Sequence, residues 1–177
     1  MIVRIGSQLT FCSPQNILRR MVVERDEQNL ITDFYCLDDN SVESAQTSFF
    51  DGIISTEIIS LKLNCGSRDI AKLTDKYRYY DLSEQVFAFE WNNNDKPLLL
   101  DFGTNSIAEI NPKLTDLAQI NPAISIVDLI ASCVYYPALV LGIGPDLKKG
   151  RRAGLLLWEK IDLINKTLTA DSRVRQV

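Results

Sequence analysis

The sequence predicts an α+β fold, with strands gathered toward the two ends of the chain and the longer helices in the second half of its middle. Three observations carry this prediction. Runs rich in aliphatic, β-branched and aromatic residues, separated by polar turns, occupy residues 17–64. Apolar residues at helical spacing recur over 111–133, and short apolar runs return at 153–158 and 167–177. At 177 residues the chain is long enough to bury one core.

Ile17–Val23, with Glu24 and Arg25 at its polar end, and Leu30–Leu37 read as a hairpin around the polar turn Asp26–Asn29. Ser13-Pro14 also suits a helix start, with serine capping and proline at the first position, so Gln15–Leu18 stays open between strand and helix. Asp38–Thr47 is loop-like. Phe49-Phe50-Asp51 then leads into Gly52–Asn64, an apolar strand whose end carries Lys62 and Asn64, two residues apart and so on one strand face.

Ser67–Leu73 carries Ile70 and Leu73 three apart, the mark of a short helix. Tyr77, Tyr79, Tyr80, Phe87 and Phe89 follow, and in an acidic chain they are expected to pack in the core rather than to stack on bases. Trp91–Pro97 is a loop, and Leu98–Phe102 is a buried strand bounded by turn signals. Asn111-Pro112 opens a helix that continues through Leu114, Leu117 and Ile120. Ser125, with Asp128 three residues on, opens a second helix through Ile126, Leu129, Ile130 and Cys133. Pro137 should break or kink it, leaving Ala138–Leu141 as a separate turn that stops at Gly142. Ala153–Trp158 and Thr167–Val177 are the closing strands.

The net charge of -4 and the absence of a basic stripe argue against a nucleic-acid partner, and Lys148–Arg152 is expected to be a solvated turn. Cys12, Cys36, Cys65 and Cys133 have no close-spaced pairing, which points to reduced thiols and a cytoplasmic location. Met1–Ile5 is too short for a signal peptide, and no run approaches the roughly 20 apolar residues of a membrane span. The chain has no histidine, so a serine or cysteine nucleophile would lack its usual base. Asp38-Asp39 reads as a solvated acid pair, and Gly142-Ile143-Gly144 is too short for a dinucleotide loop.

Pro137-Ala138-x-x-Leu141-Gly142, followed by Gly144-x-x-Leu147-x-x-Gly150-x-x-Ala153-Gly154-Leu155-Leu156-Leu157, resembles the sequence that closes enzymes of the amidohydrolase superfamily, N-P-A-x-x-L-G then G-x-L-x-x-G-x-x-A-D-L-V-L. Tyr136 replaces the asparagine, Gly154 replaces the aspartate, and one extra residue separates Gly144 from Leu147. Gly52–Asn64 looks like the family's G-x-I-S-P-G-F-V-N-x-H-x-H, with Thr56 and Glu57 in place of Pro-Gly. Leu99–Asn111 is similar to the eighth barrel strand of the cytosine and guanine deaminase and chlorohydrolase branch, whose G-T-D-S aspartate is Asn105 here. The resemblance covers residues 17–64 and 98–177.

It implies one compact unit of two parts. The first is a small β-sandwich from residues 1–51 and 150–177, like the composite domain of metal-dependent hydrolases. The second is a reduced αβ remnant of a TIM barrel over 52–149, because a complete barrel takes about 200 residues or more. It also implies that Lys62, Asn64 and Asn105 stand at vestigial metal-ligand positions. An ammonium and two neutral amides are poor company for a divalent ion, so no catalytic residue, no metal and no cofactor is expected. The expected role is that of a non-catalytic pseudoenzyme acting through a homodimer or a full-length relative, with Ile58–Leu63 and Leu98–Phe102 buried between copies. Residual hydrolysis of non-peptide carbon–nitrogen bonds is one alternative. Binding of a small anion at the vestigial site is another.

Overall fold

The computed structural model describes residues 2–38, 46–65, 67–86 and 96–177. Phe87, Phe89, most of the loop predicted over 91–97, Asp39 and most of the loop predicted over 38–47 lie outside them.

Six strands form one mixed sheet: β1 (Val3–Ser13), β2 (Asn16–Arg25), β3 (Ile31–Cys36), β4 (Thr47–Thr56), β7 (Leu155–Glu159) and β8 (Arg173–Gln176), in the order β3-β2-β1-β4-β7-β8. All pairs are antiparallel except β1 with β4. The chain joins β1 to β2 through Pro14-Gln15, with Ser13 opposite Asn16, so the Ser13-Pro14 step is a tight hairpin turn and not a helix start. Proline fits there because its fixed φ suits a turn and its missing N–H removes nothing from the ladder. The predicted hairpin around Asp26–Asn29 is present: the Asp26 carboxylate accepts from the amides of Gln28 and Leu30, and Asn29 takes a positive φ of 60°.

Both faces of the sheet are covered, which is why its central strands read as continuous apolar runs rather than alternating ones. In β4 and β7, Ile54, Leu155 and Leu157 join Ile5, Val23 and Ile31 beneath Leu147 and Ala153. Their neighbours Ile53, Leu156 and Trp158 point the other way, into a core with Phe102, Leu114 and Leu129. The segment before β7 bonds the start of β3, through Ile31 N to Arg151 O, Gly150 N to Ile31 O and Ala153 N to Asn29 O. The chain thereby ties one margin of the sheet to the strand that builds the other.

The N- and C-terminal strands therefore share a single hydrogen-bonded sheet among the described residues, where the resemblance implies a two-layer sandwich. Strand β4 also runs straight across residue 52, the expected boundary between the two parts. The predicted strand over Thr167–Val177 is confined to β8. Upstream of it, Thr169 and Ser172 bond each other and the Lys160 carbonyl, holding turns in place of a ladder.

Between β4 and β7 lie α1 (Leu61–Asn64), α2 (Ser67–Leu73), β5 (Arg78–Asp81), β6 (Leu98–Asp101), α3 (Ile107–Ile120), α4 (Ile126–Ile130), a π-helical turn (Ala131–Tyr135) and α5 (Tyr136–Val140). β5 and β6 pair in parallel as a separate two-stranded sheet. Gly52–Asn64 is thus not one strand: β4 ends at Thr56, and Lys62 and Asn64 belong to a helical turn capped by the Ser60 hydroxyl. Helix α3 starts five residues before Pro112, which lies inside it. Asn111 is free for another use, and its amide makes a reciprocal pair with the Val174 backbone that docks α3 on β8.

Pro137 does not leave Ala138–Leu141 as a separate turn. The helix widens into the π turn before it and continues as α5, which includes Pro137 and ends at Val140, two residues before Gly142 with its φ of 69°. Pro137 has no N–H to give the Cys133 carbonyl, and that carbonyl accepts instead from Ile59 N at 3.0 Å. The tyrosines pack as predicted: Tyr77 contacts the Tyr136 ring and Tyr80 lies against the core. All four cysteines are free thiols. Among the described residues no helix is long and apolar enough to cross a membrane.

Gly52 has a φ of 154°, and a Cβ there would run into the carbonyl oxygen of Trp158 on the adjacent β7. Gly142 also has positive φ but faces open space. Gly52→Ala is expected to lower the unfolding free energy by more than about 2 kcal/mol, against about 1 kcal/mol for Gly142→Ala. Urea denaturation of the two variants compares them directly.

Candidate functional site

The C-terminal ends of β4 and β6 meet at the start of α1. Asp101, the last residue of β6, is 1% exposed, and its carboxylate is filled by four donors. Oδ1 accepts from the Ser60 hydroxyl at 2.7 Å and from Gly103 N at 2.8 Å. Oδ2 accepts from Lys62 N at 2.6 Å and from the Tyr79 hydroxyl at 3.0 Å. A buried carboxylate with this many donors is a fixed anion that joins β5, β6 and α1. Burial, reinforced by the charge of Asp101, pushes the Tyr79 hydroxyl far above its usual range, so it stays a donor.

The three positions that the resemblance marks, Lys62, Asn64 and Asn105, are drawn to this point by their backbones and bond locally. Asn105 Oδ1 accepts from Ser60 N at 3.0 Å, and Asn64 Nδ2 donates to Ser60 O at 2.7 Å. Ser60 is thereby held on its N–H, carbonyl and hydroxyl together. Lys62 turns elsewhere, donating to Asp81 Oδ2 at 3.0 Å and to the Ser83 hydroxyl at 2.8 Å. The hydrogen bond and charge of Asp81 raise the Lys62 ammonium above its ordinary value. Partial burial works to raise Asp81, but Ser83 and the Lys62 ammonium outweigh it and bring the carboxyl below its usual range. An amine raised in this way is the reverse of what imine chemistry requires.

Asn64 and Asn105 do share a cleft of about 210 Å³, and Lys62 does not line it. Its other polar walls are Glu57, Arg151 and Arg152, with Ile143 at the apolar side. Glu57 Oε1 accepts from Gly154 N at 2.9 Å, and a Cβ on Gly154 would overlap the Glu57 carboxylate. Burial pulls the Arg151 guanidinium below its ordinary value against the charges of Asp146 and Glu57. Its Nη1 donates to Asp146 O, while Arg152 Nη2 donates to Gln28 Oε1.

The family's divalent ion does not fit these residues. Positions 62 and 64 lie two apart on a helical turn, where side chains diverge, and the groups present are an ion-paired ammonium and two hydrogen-bonded amides. Among the described residues no group of three or more Cys, Asp or Glu is placed to hold a metal. Asp101, Tyr79, Ser60 and Glu57 were not singled out by the sequence. The one available signal was an acid inside the otherwise apolar run Leu98–Phe102, since an unpaired carboxylate is rarely buried.

No family model and no curated protein matches the chain. A solved structure of a mutant N-acetyl-D-glucosamine-6-phosphate deacetylase from Mycobacterium smegmatis, in complex with N-acetyl-D-glucosamine-6-phosphate, is similar over 67% of this chain and 29% of that one, with 6% identity and a TM-score of 0.27. The chain thus spans less than a third of that protein's length, and a likeness of this size carries no weight for its fold or chemistry.

Asp101→Asn places an amide NH₂ against groups that donate, and is expected to cost about 2–4 kcal/mol, compared with about 1 kcal/mol for Tyr79→Phe. Chemical denaturation measures both. Restoring the family's ligands in the triple variant Lys62→His, Asn64→His, Asn105→Asp is expected to leave zinc binding substoichiometric. One tightly bound zinc per chain, measured by competition with a chelator, would contradict the helical placement of these residues.

Proposed function

We propose that this protein is a non-catalytic relative of the amidohydrolases, its β5–β6 pair and following helices a reduced remnant of the barrel, and that it acts by self-association. The observation that carries the non-catalytic reading is that the side chain at each vestigial position is engaged within the chain: two amides clamp Ser60 and the ammonium is paired with Asp81. A second contact supports descent. The resemblance expects glycine at 57 and aspartate at 154, and the chain has Glu57 and Gly154 touching each other. The carboxylate has changed sides, and the residue facing it has shrunk to admit it.

The surface for association differs from the one the sequence suggested. Ile58, Leu61 and Leu98–Phe102 are already buried within one chain, by the helices and by β5, so they are unavailable to a second copy. Leu63, Leu139 and Ile143 are 61%, 44% and 45% exposed, and they lie in or next to the segments that line the Asn64–Asn105 cleft. A second copy, or a full-length relative, would cover this rim.

Anion binding in the cleft is a second reading, favoured by Arg151 and Arg152 beside the two asparagine side chains. It does not involve Lys62, so Lys62→Ala would leave it unchanged.

Sedimentation over a range of concentrations is expected to show a dimer that Leu63→Asp and Ile143→Asp convert to a monomer with unaltered thermal unfolding. A monomer at every concentration, or a dimer indifferent to both variants, counts against self-association. Stoichiometric zinc, iron or manganese together with turnover of an amide or amidine substrate would overturn the non-catalytic reading.

A further inference from the structure

A larger cavity, of about 500 Å³, shares no residue with the Asn64–Asn105 cleft. It is built on the sheet from Gln8 and Leu9 of β1, Ile17, Arg19 and Arg20 of β2 and Phe49 of β4, and closed by Leu163 and Lys166 of the loop after β7. Leu9, Ile17 and Leu163 are partly buried against the core and form its apolar base, and Phe49 offers an exposed ring at its side. Three cations stand around it, and among the described residues no carboxylate lines it. We propose that this cavity binds a small amphipathic organic anion, with the carboxylate or phosphate taken by Arg19, Arg20 and Lys166 and the hydrocarbon body lying on Leu9, Ile17, Leu163 and Phe49.

The backbone places these charges at some cost. Among the described residues five non-glycine positions have positive φ, and two of them, Arg20 at 50° and Lys166 at 54°, line this one cavity. The β1–β4 register also shifts between Ser7 and Leu9, so a bulge in β4 sets Asp51 and Gly52 against Gln8, which lines the cavity. Lys166 is fixed through its carbonyl, which accepts from Ile126 N at the start of α4.

The nearby acids do not cancel the cations. Asp162 is occupied by the amides of Ile164 and Asn165 and by the Asn165 side chain. Asp38 pairs with Arg20 at 2.6 Å, with both side chains more than half exposed, a geometry that gives way readily to a competing anion. Arg19 and Lys166 form no ion pair among the described residues. The size suits a ligand with a body as well as a charge, since sites of several hundred Å³ hold whole organic molecules.

Isothermal titration with decanoate, decanol and inorganic phosphate separates the two halves of the ligand. Decanoate is expected to bind at least about tenfold more tightly than either of the others, and the Arg19→Gln, Lys166→Asn double variant to weaken it by about tenfold or more. Asparagine tolerates the positive φ at 166, and both residues are exposed, so the variant's unfolding curve should match the parent's. Binding of the charged amphiphile that is equal to that of phosphate or decanol, or unchanged in the folded double variant, overturns the proposal. A phosphate monoester with the same alkyl chain, tested beside decanoate, distinguishes which headgroup is preferred; binding of neither removes the site.

Discussion

The central half of this chain depends on one buried carboxylate. Asp101 ends β6, and its two oxygens collect a hydroxyl and an amide from the turn that opens α1, a phenol from β5 and an amide from its own following loop. An ionised group is tolerated in the interior only when its lone pairs are met, and here the groups that meet them come from three separate elements. The same contacts hold the end of β6 against the turn that follows β4, and they fix Ser60 and the backbone of Lys62 in the candidate site.

A second constraint works from the other side. Pro137 withholds an N–H from the carbonyl of Cys133, and the orphaned carbonyl reaches Ile59 in the linker between β4 and α1. A helix irregularity and a strand exit thereby satisfy each other. Ser60, the next residue, is then held by Asn105, Asn64 and Asp101 together. Asparagine suits this work better than a metal ligand would, since its amide supplies both an acceptor and a donor to backbone groups. The fixed centre at these positions is the Ser60 backbone.

The two cavities differ in what surrounds their charge. In the Asn64–Asn105 cleft, the charge of Glu57 acts on Arg151, and the guanidinium groups already donate to the Asp146 carbonyl and to Gln28. In the cavity on the sheet, Arg20 pairs with the exposed Asp38, while Arg19 and Lys166 form no ion pair among the described residues and stand above an apolar base. The first arrangement stabilises a junction between β4 and the segment before β7. The second leaves unspent charge beside unspent apolar surface, the combination that an amphipathic anion would use.

The sequence by itself determined the local elements whose cause is local. The hairpin at Asp26–Asn29 follows from turn chemistry, the helix start at Ser125 from its cap, and the buried strands at Leu98–Phe102 and Ala153–Trp158 from unbroken apolar runs. Absence of histidine likewise bounded the chemistry before any fold was known. Tertiary structure alone decided the rest. Lys62 and Asn64 share a face only if the chain stays extended through them, and the capping of α1 by Ser60 and Asp101 makes it turn instead. The partner of each polar side chain was hidden for the same reason. A donor's choice among acceptors dozens of residues away, as when Lys62 reaches Asp81 or Asn105 reaches Ser60, is settled by which elements pack together, and no periodicity along the chain records it.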